Sequence, residues 1–167
     1  AGVAMGGKLE NLTPANADWV LSVNFMGIVN TARAFVPHLR ASAGEGRDAR
    51  IVVTGSEHSL GIPTIGAANV YTSSKHGALG LADVLRSDLA GSGVSVSLLC
   101  PGLVSTNIYD SRVNRPDRFG GAEALPEKAA EQVKSFFERK GQDPALTAQL
   151  CFEALDRKDF LIITDPH

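Results

Sequence analysis

Cysteine is scarce in this chain: among 167 residues only Cys100 and Cys151 carry a thiol, and neither stands in a CxxC or CxxH spacing. That pattern gives no disulfide framework and no zinc-type ligand set, so no metal is expected, and a reducing cytoplasm suits it best. Charge of one sign is lacking too. The formal net charge is -2 with 20% charged residues, which offers no basic face for nucleic acid and no polyanionic tail. No apolar run approaches the roughly 18 residues of a membrane span, and no charged-then-apolar leader opens the chain, so no membrane partner is expected. A soluble protein acting on small metabolites is the default that remains. An initiator methionine is also missing, and the abrupt opening at Ala1-Gly2 reads as processing or truncation.

What is present reads as one α/β domain over residues 1–167, long enough to bury a real core. Thr13-Pro14 is a cap followed by proline at the first helical position, where a missing N–H costs nothing. The recurrence of Trp19, Val20, Val23, Ile28, Phe35, Val36 and Leu39 predicts one long helix running to a loop at residues 42–48, with Pro37 kinking or closing its end. Trp19 and Phe35 are assigned to the core. The β-branched run Ile51-Val52-Val53-Thr54 and the run at residues 94–99 read as buried parallel strands, with a helix at residues 69–89 between them. Strand, helix, strand is a βαβ unit with a right-handed crossover. Asp143-Pro144 repeats the cap-plus-proline signal and starts a helix through Leu155, ahead of a last apolar run at residues 160–163. Residues 107–124, rich in Arg, Asn, Gly and Asp, read as a surface loop over the ligand crevice of such a sheet.

Tyr71 and Lys75 stand four residues apart on the predicted helix, so phenol and ammonium share a face. Lowering a tyrosine from near pH 10 to about 7 takes about 4 kcal/mol, which a cation about 4 Å away supplies at an effective dielectric near 20. Such a pair can act as a general acid/base on a hydroxyl or carbonyl, although YxxxK alone is also what a solvated helix face looks like. Ser56 lies just past the carboxyl end of one strand and Tyr71 opens the next helix. Pro101-Gly102-Leu103-Val104-Ser105-Thr106 follows the second strand, beside the same crevice. His58 and His76 read as polar neighbours of the pair, Ser73 and Ser74 as small packing residues, and Gly77 and Gly80 as points of close approach. Ile62, Pro63 and Ile65 either line an apolar substrate pocket or anchor a loop. Thr54-Gly55 with Gly61 lacks the spacing of a nucleotide loop.

This ordered set, a serine after a strand, a YxxxK helix and a PGxVxT segment after the next strand, resembles the short-chain dehydrogenase/reductase family. Ala1-Gly2 is similar to the end of that family's NNAG element, and Val23-Asn24 to its VN element. The resemblance covers almost the whole chain and implies the C-terminal part of a Rossmann-like, doubly wound parallel sheet. It further implies a hydride transfer between NAD or NADP and a secondary alcohol or ketone, in a homodimer or homotetramer. By the same resemblance Tyr71 is the proton donor or acceptor, Lys75 lowers its pKa and holds the nicotinamide ribose, and Ser56 steadies the substrate oxygen. Asn24 supports a proton path to Lys75, while Gly2, Pro101, Gly102, Val104 and Thr106 lie against the cofactor. Gly55-Ser56 replaces the family's paired serines, which keeps Ser59 open as an alternate to Ser56.

The chain contains no G-x-G-x-x-G turn, the device by which such sheets hold a pyrophosphate at a helix N-terminus. Four strands and three crossovers, roughly 90 residues, are therefore expected upstream. The fragment alone is expected to be poorly stable, with a bare Ile51-Val52-Val53 edge, and to bind neither dinucleotide. A non-catalytic binding or scaffold protein keeping the same fold is the rival to an enzyme.

Overall fold

The computed structural model describes residues 2–61 and 69–165. Ala1, Ile62, Pro63 and Ile65, to which the sequence assigned roles, lie outside the described residues. Three strands, β1 (Ala49–Thr54), β2 (Val94–Cys100) and β3 (Leu161–Ile163), form one sheet in the order β1-β2-β3, and both pairings are parallel. Their register runs from Ala49 opposite Val94 to Thr54 opposite Leu99, then from Leu98 opposite Leu161 to Cys100 opposite Ile163. This is the α/β class and the sequential parallel order that the βαβ pattern predicts, and all three strands end on one edge.

Helix α3 (Asn69–Asp88) crosses from β1 to β2. Ser74, Ala78 and Ala82, four residues apart and fully buried, give it a smooth inner face that packs close to the sheet. Ala78 and Ala82 meet Val53, Leu98 and Cys100 there, and a further cluster of Ala49, Leu89, Val94 and Val96 fills the opposite end of the same layer. Each fully buried side chain of the size of Leu98 contributes about 1.5–3 kcal/mol. A separate cluster of Val3, Met5, Trp19, Val20 and Val70 locks the first residues of the chain between the neighbouring helices.

Where one long helix is predicted after Thr13, the chain makes two, α1 (Pro14–Asn24) and α2 (Met26–Gly44). Thr13 caps the first as expected, its hydroxyl accepting from Asn16 N–H at 3.3 Å. The break falls at Phe25 (φ −104°, ψ −60°), and Pro37 sits inside α2 without ending it. The Phe25 ring at this break packs on α3: a Cβ on Gly77 would lie 2.7 Å from it, so the ring occupies space that glycine leaves open. Helix α2 then continues to Gly44, into the segment read as a loop. Phe35, assigned to the core, is 59% exposed. Contrary to the expectation from unbroken apolar runs, the stretch Pro14–Gly44 reaches a mean hydropathy of 1.2 over 18 residues, enough by length and composition alone to cross a membrane. Here it is broken at Phe25, and α1 packs against α3 with the polar side chain of Asn24 buried between them.

Beyond β2, residues 107–124 are not a plain loop: two 3-10 helices cover Asn107–Asn114 and Asp117–Phe119. Arg115, nearly buried, ties this segment down by donating to Gly121 O at 2.7 Å and to Asn16 Oδ1, with Glu123 Oε2 at 3.3 Å. Helix α4 (Glu127–Lys140) was not anticipated, although Glu127 in its first turn and Arg139 and Lys140 in its last complement the helix dipole. Helix α5 (Pro144–Asp156) begins as predicted, with the Asp143 carboxylate accepting from Ala145 N–H at 2.8 Å. Cys151, Ala154 and Leu155 of α5 bury against Ile162 of β3.

Candidate active site

At the carboxyl edge of β1 and β2 the chain forms a cleft of about 810 Å³ whose lining includes Gly2, Ser56, His58, Tyr71, Lys75, Pro101, Gly102, Val104 and Thr106. Nearly every residue singled out from the sequence therefore faces one space. Asn24 stands immediately behind it, since a Cβ on Gly2 would touch both Asn24 Oδ1 (3.7 Å) and Lys75 Nζ (3.8 Å).

Tyr71 and Lys75 reach the cleft because α3 starts directly above the end of β1. Ser56 lines the same cleft, and its side chain is near enough to the Tyr71 phenol to draw its pKa down. Ser59, the alternate serine, is committed elsewhere. Its Oγ accepts from Ser56 N–H at 3.1 Å while Ser56 accepts from its backbone in a capping box, and Ser59 is 1% exposed. Of the two serines, Ser56 lines the cleft and Ser59 does not.

Lys75 is 3% exposed and donates to Thr54 O at 3.0 Å, with Nζ 5.7 Å from the centre of the Tyr71 ring. Burial lowers its pKa from 10.5 to about 8. Tyr71 goes the other way. Burial raises it above the ordinary tyrosine value, the Ser56 side chain pulls it back in part, and the Glu57 carboxylate raises it further. With no dinucleotide bound, the direction is therefore opposite to the lowering that the YxxxK spacing predicts, and burial is its largest cause. Glu57 itself is held above the usual carboxylate range by partial burial and by Asp165.

His58 is a neighbour of the pair, as expected. Its Nδ1 lies 2.8 Å from Thr72 Oγ1, and its ring stands edge-on to Tyr71 at 5.2 Å between centroids. Burial, then His76 and Lys75, lower its pKa. Asn24 is 3% exposed, and its amide is wired to the scaffold: Oδ1 accepts from Val3 N–H at 2.9 Å, and Nδ2 donates to Val3 O at 2.9 Å and to Ser74 Oγ at 3.0 Å. Ser74, read from the sequence as a packing residue, is the hub of that network, because its hydroxyl also donates to Tyr71 O at 2.7 Å. Ser111 was missed as well; its Oγ accepts from Ala4 N–H at 3.0 Å and fastens the loop after β2 to the first residues of the chain. A serine inside a 3-10 turn carries no sequence signal for such a contact. Among the described residues no group of three His, Cys, Asp or Glu side chains stands where it could hold a metal.

Comparison with known proteins places this architecture. The short chain dehydrogenase family matches residues 1–117, and the chain belongs to that family. It is 38% identical over 115 residues to a 1-deoxy-11-beta-hydroxypentalenate dehydrogenase of Streptomyces avermitilis, covering 68% of this chain and 40% of that protein. The same-named enzyme of Streptomyces exfoliatus is 45% identical over 125 residues, 74% of this chain and 42% of that one. A short-chain dehydrogenase/reductase from Burkholderia phymatum, solved in complex with NAD, superposes with a TM-score of 0.83 at 33% identity, over 99% of this chain and 59% of that one. The chain thus spans about half the length of the relatives it matches.

Proposed function

We propose that the protein carrying this chain is an NAD(P)-dependent oxidoreductase that interconverts a secondary alcohol and a ketone, with Tyr71 handling the proton on the reacting oxygen. The observation that carries this reading is the gathering of Ser56, Tyr71 and Lys75 in one cleft at the carboxyl edge of two parallel strands. The residues present suit a dinucleotide. An ammonium has three donors, and among the described residues Lys75 donates to the Thr54 carbonyl alone, which leaves capacity for ribose hydroxyls. Gly2 keeps the space beside it open, since a Cβ there would narrow the approach to Nζ. A bound nicotinamide supplies or accepts the hydride.

The chain's own residues supply the rest. Ser56 orients the substrate oxygen, and Tyr71, kept protonated at neutral pH by its burial, donates to that oxygen as a carbonyl is reduced. Lys75 and Gly2 would hold the ribose, with Pro101, Gly102, Leu103, Val104 and Thr106 lining the same cleft. These contacts concern the nicotinamide end, which NAD and NADP share, so the reading holds for either. Exposed side chains on α2, with Phe35 foremost, fit the homodimer or homotetramer that the family resemblance implies.

The test uses the full-length protein, a panel of secondary alcohols and ketones, and both dinucleotides. Turnover is expected with one of them, and Tyr71→Phe should lower it by about 10²–10⁴ while leaving dinucleotide affinity intact. No turnover across the panel and no dinucleotide binding would favour the scaffold reading; near-normal turnover in Tyr71→Phe would remove the assigned role.

A further inference from the structure

Resting on the reading of residues 103–106 as a cofactor-facing wall, we propose that Gln142 is a positioning residue for dinucleotide binding, holding that wall from behind without touching the ligand. After Cys100 the chain leaves the sheet at Pro101, which has no N–H to donate, and the segment that follows needs another partner to stay extended. Gln142 provides one. It forms a parallel bridge with Val104: Gln142 N–H donates to Leu103 O at 2.8 Å, and Ser105 N–H donates to Gln142 O at 2.9 Å.

The side chain of the same residue ties the bridge to two further elements. Nε2 donates to Thr164 O, just past β3, at 2.9 Å, and Oε1 accepts from Thr147 Oγ1 in the first turns of α5 at 2.6 Å. A primary amide offers a donor and an acceptor at one tip, and both are used; a carboxylate there would face the Thr164 carbonyl with no proton to give. The residue before it is equally constrained. A Cβ on Gly141 would sit 2.6 Å from Ser105 N and 2.9 Å from Val104 C, so only glycine lets the two backbones approach this closely. Gln142 is not part of the cleft lining, whereas Leu103, Val104, Thr106 and Thr147 are. Its effect on a ligand passes through them, by fixing the wall before binding rather than during it.

The test is titration of the full-length protein with NADH and NADPH by fluorescence, for wild type, Gln142→Ala and Gln142→Glu. Glutamate keeps the size of the side chain and the acceptor for Thr147 while losing the donor to Thr164, so it separates the bond from packing. Both variants are expected to raise the Kd and KM of the dinucleotide about tenfold, with kcat, substrate KM and the pH profile unchanged. A folded Gln142→Glu protein with Kd within about twofold of wild type would overturn the proposal, as would a fall in kcat at unchanged Kd. Wild type that binds neither dinucleotide would overturn the functional reading along with it, whereas wild-type binding that both variants retain would overturn this inference alone.

Discussion

The two walls of the cleft are held by different means. On the α3 side, polar side chains hold the wall from inside the protein: Asn24 bonds the Val3 backbone and Ser74, Ser74 bonds Tyr71 O, and Lys75 bonds Thr54 O. On the other side, residues 103–105 are held by backbone bonds to Gln142 and the wall is anchored from outside. The first wall carries groups that can exchange protons and places them where burial shifts their titration. The second offers shape. The difference sets a wall of buried, hydrogen-bonded polar side chains against one shaped by non-local backbone pairing.

Removing Ser56 should produce the largest effect on the α3 wall. Ser56→Ala takes away the hydroxyl proposed to orient the substrate oxygen beside Tyr71, and steady-state assays of the full-length protein should show turnover reduced by about 10²–10³. Ser59→Ala should leave turnover near wild type, and equal losses in both variants would erase the distinction drawn between the two serines.

Lys75 gives the next largest effect, on stability. Its pKa falls from 10.5 to about 8 on folding, so the unfolded chain binds the proton more tightly. Below about pH 8 both states are protonated and burying the ammonium destabilises the fold in full; between about 8 and 10.5 the folded state has lost the proton and stability rises with pH. At 1.36 kcal/mol per pH unit the rise amounts to about 3 kcal/mol. Denaturant unfolding across that range should show a smaller rise in Lys75→Met, and an identical pH dependence would contradict the burial argument. Asn24→Ala, which leaves the Val3 backbone groups and Ser74 without their partner, should cost about 1–3 kcal/mol by the same method. Ser59→Ala removes one half of a capping box and should cost about 1 kcal/mol, the smallest of the set.

Much of the α3 wall was legible in the sequence because its residues sit on local patterns. The β-branched run before Gly55 and the apolar run before Pro101 are strand signals, and Tyr71 and Lys75 share a helical face whatever the tertiary context. What escaped was non-local. The Phe25 ring at the break between α1 and α2 packs on Gly77, far along the chain and on another helix, and no propensity marks that contact. Helix α4 did carry a readable pattern in Val133, Phe136 and Phe137, overlooked because no capping side chain opens it. Ser74 looks like filler in any window of sequence and becomes a hub only when α1 brings Asn24 against it. The Val104–Gln142 bridge joins the residues after a strand to the turn between two helices, a pairing that neither segment announces. Spacing gives Tyr71 a cationic neighbour, whereas the burial that raises its pKa comes only with packing.

Spectrophotometric titration of the phenol tests the central claim most directly, because the difference between wild type and Tyr71→Phe isolates one tyrosine. With no dinucleotide bound, Tyr71 should keep its proton through neutrality and ionise only above the ordinary tyrosine value of 10.0. Ionisation near neutral pH would contradict the account, and would mean that Lys75 rather than burial sets the charge of the reacting group.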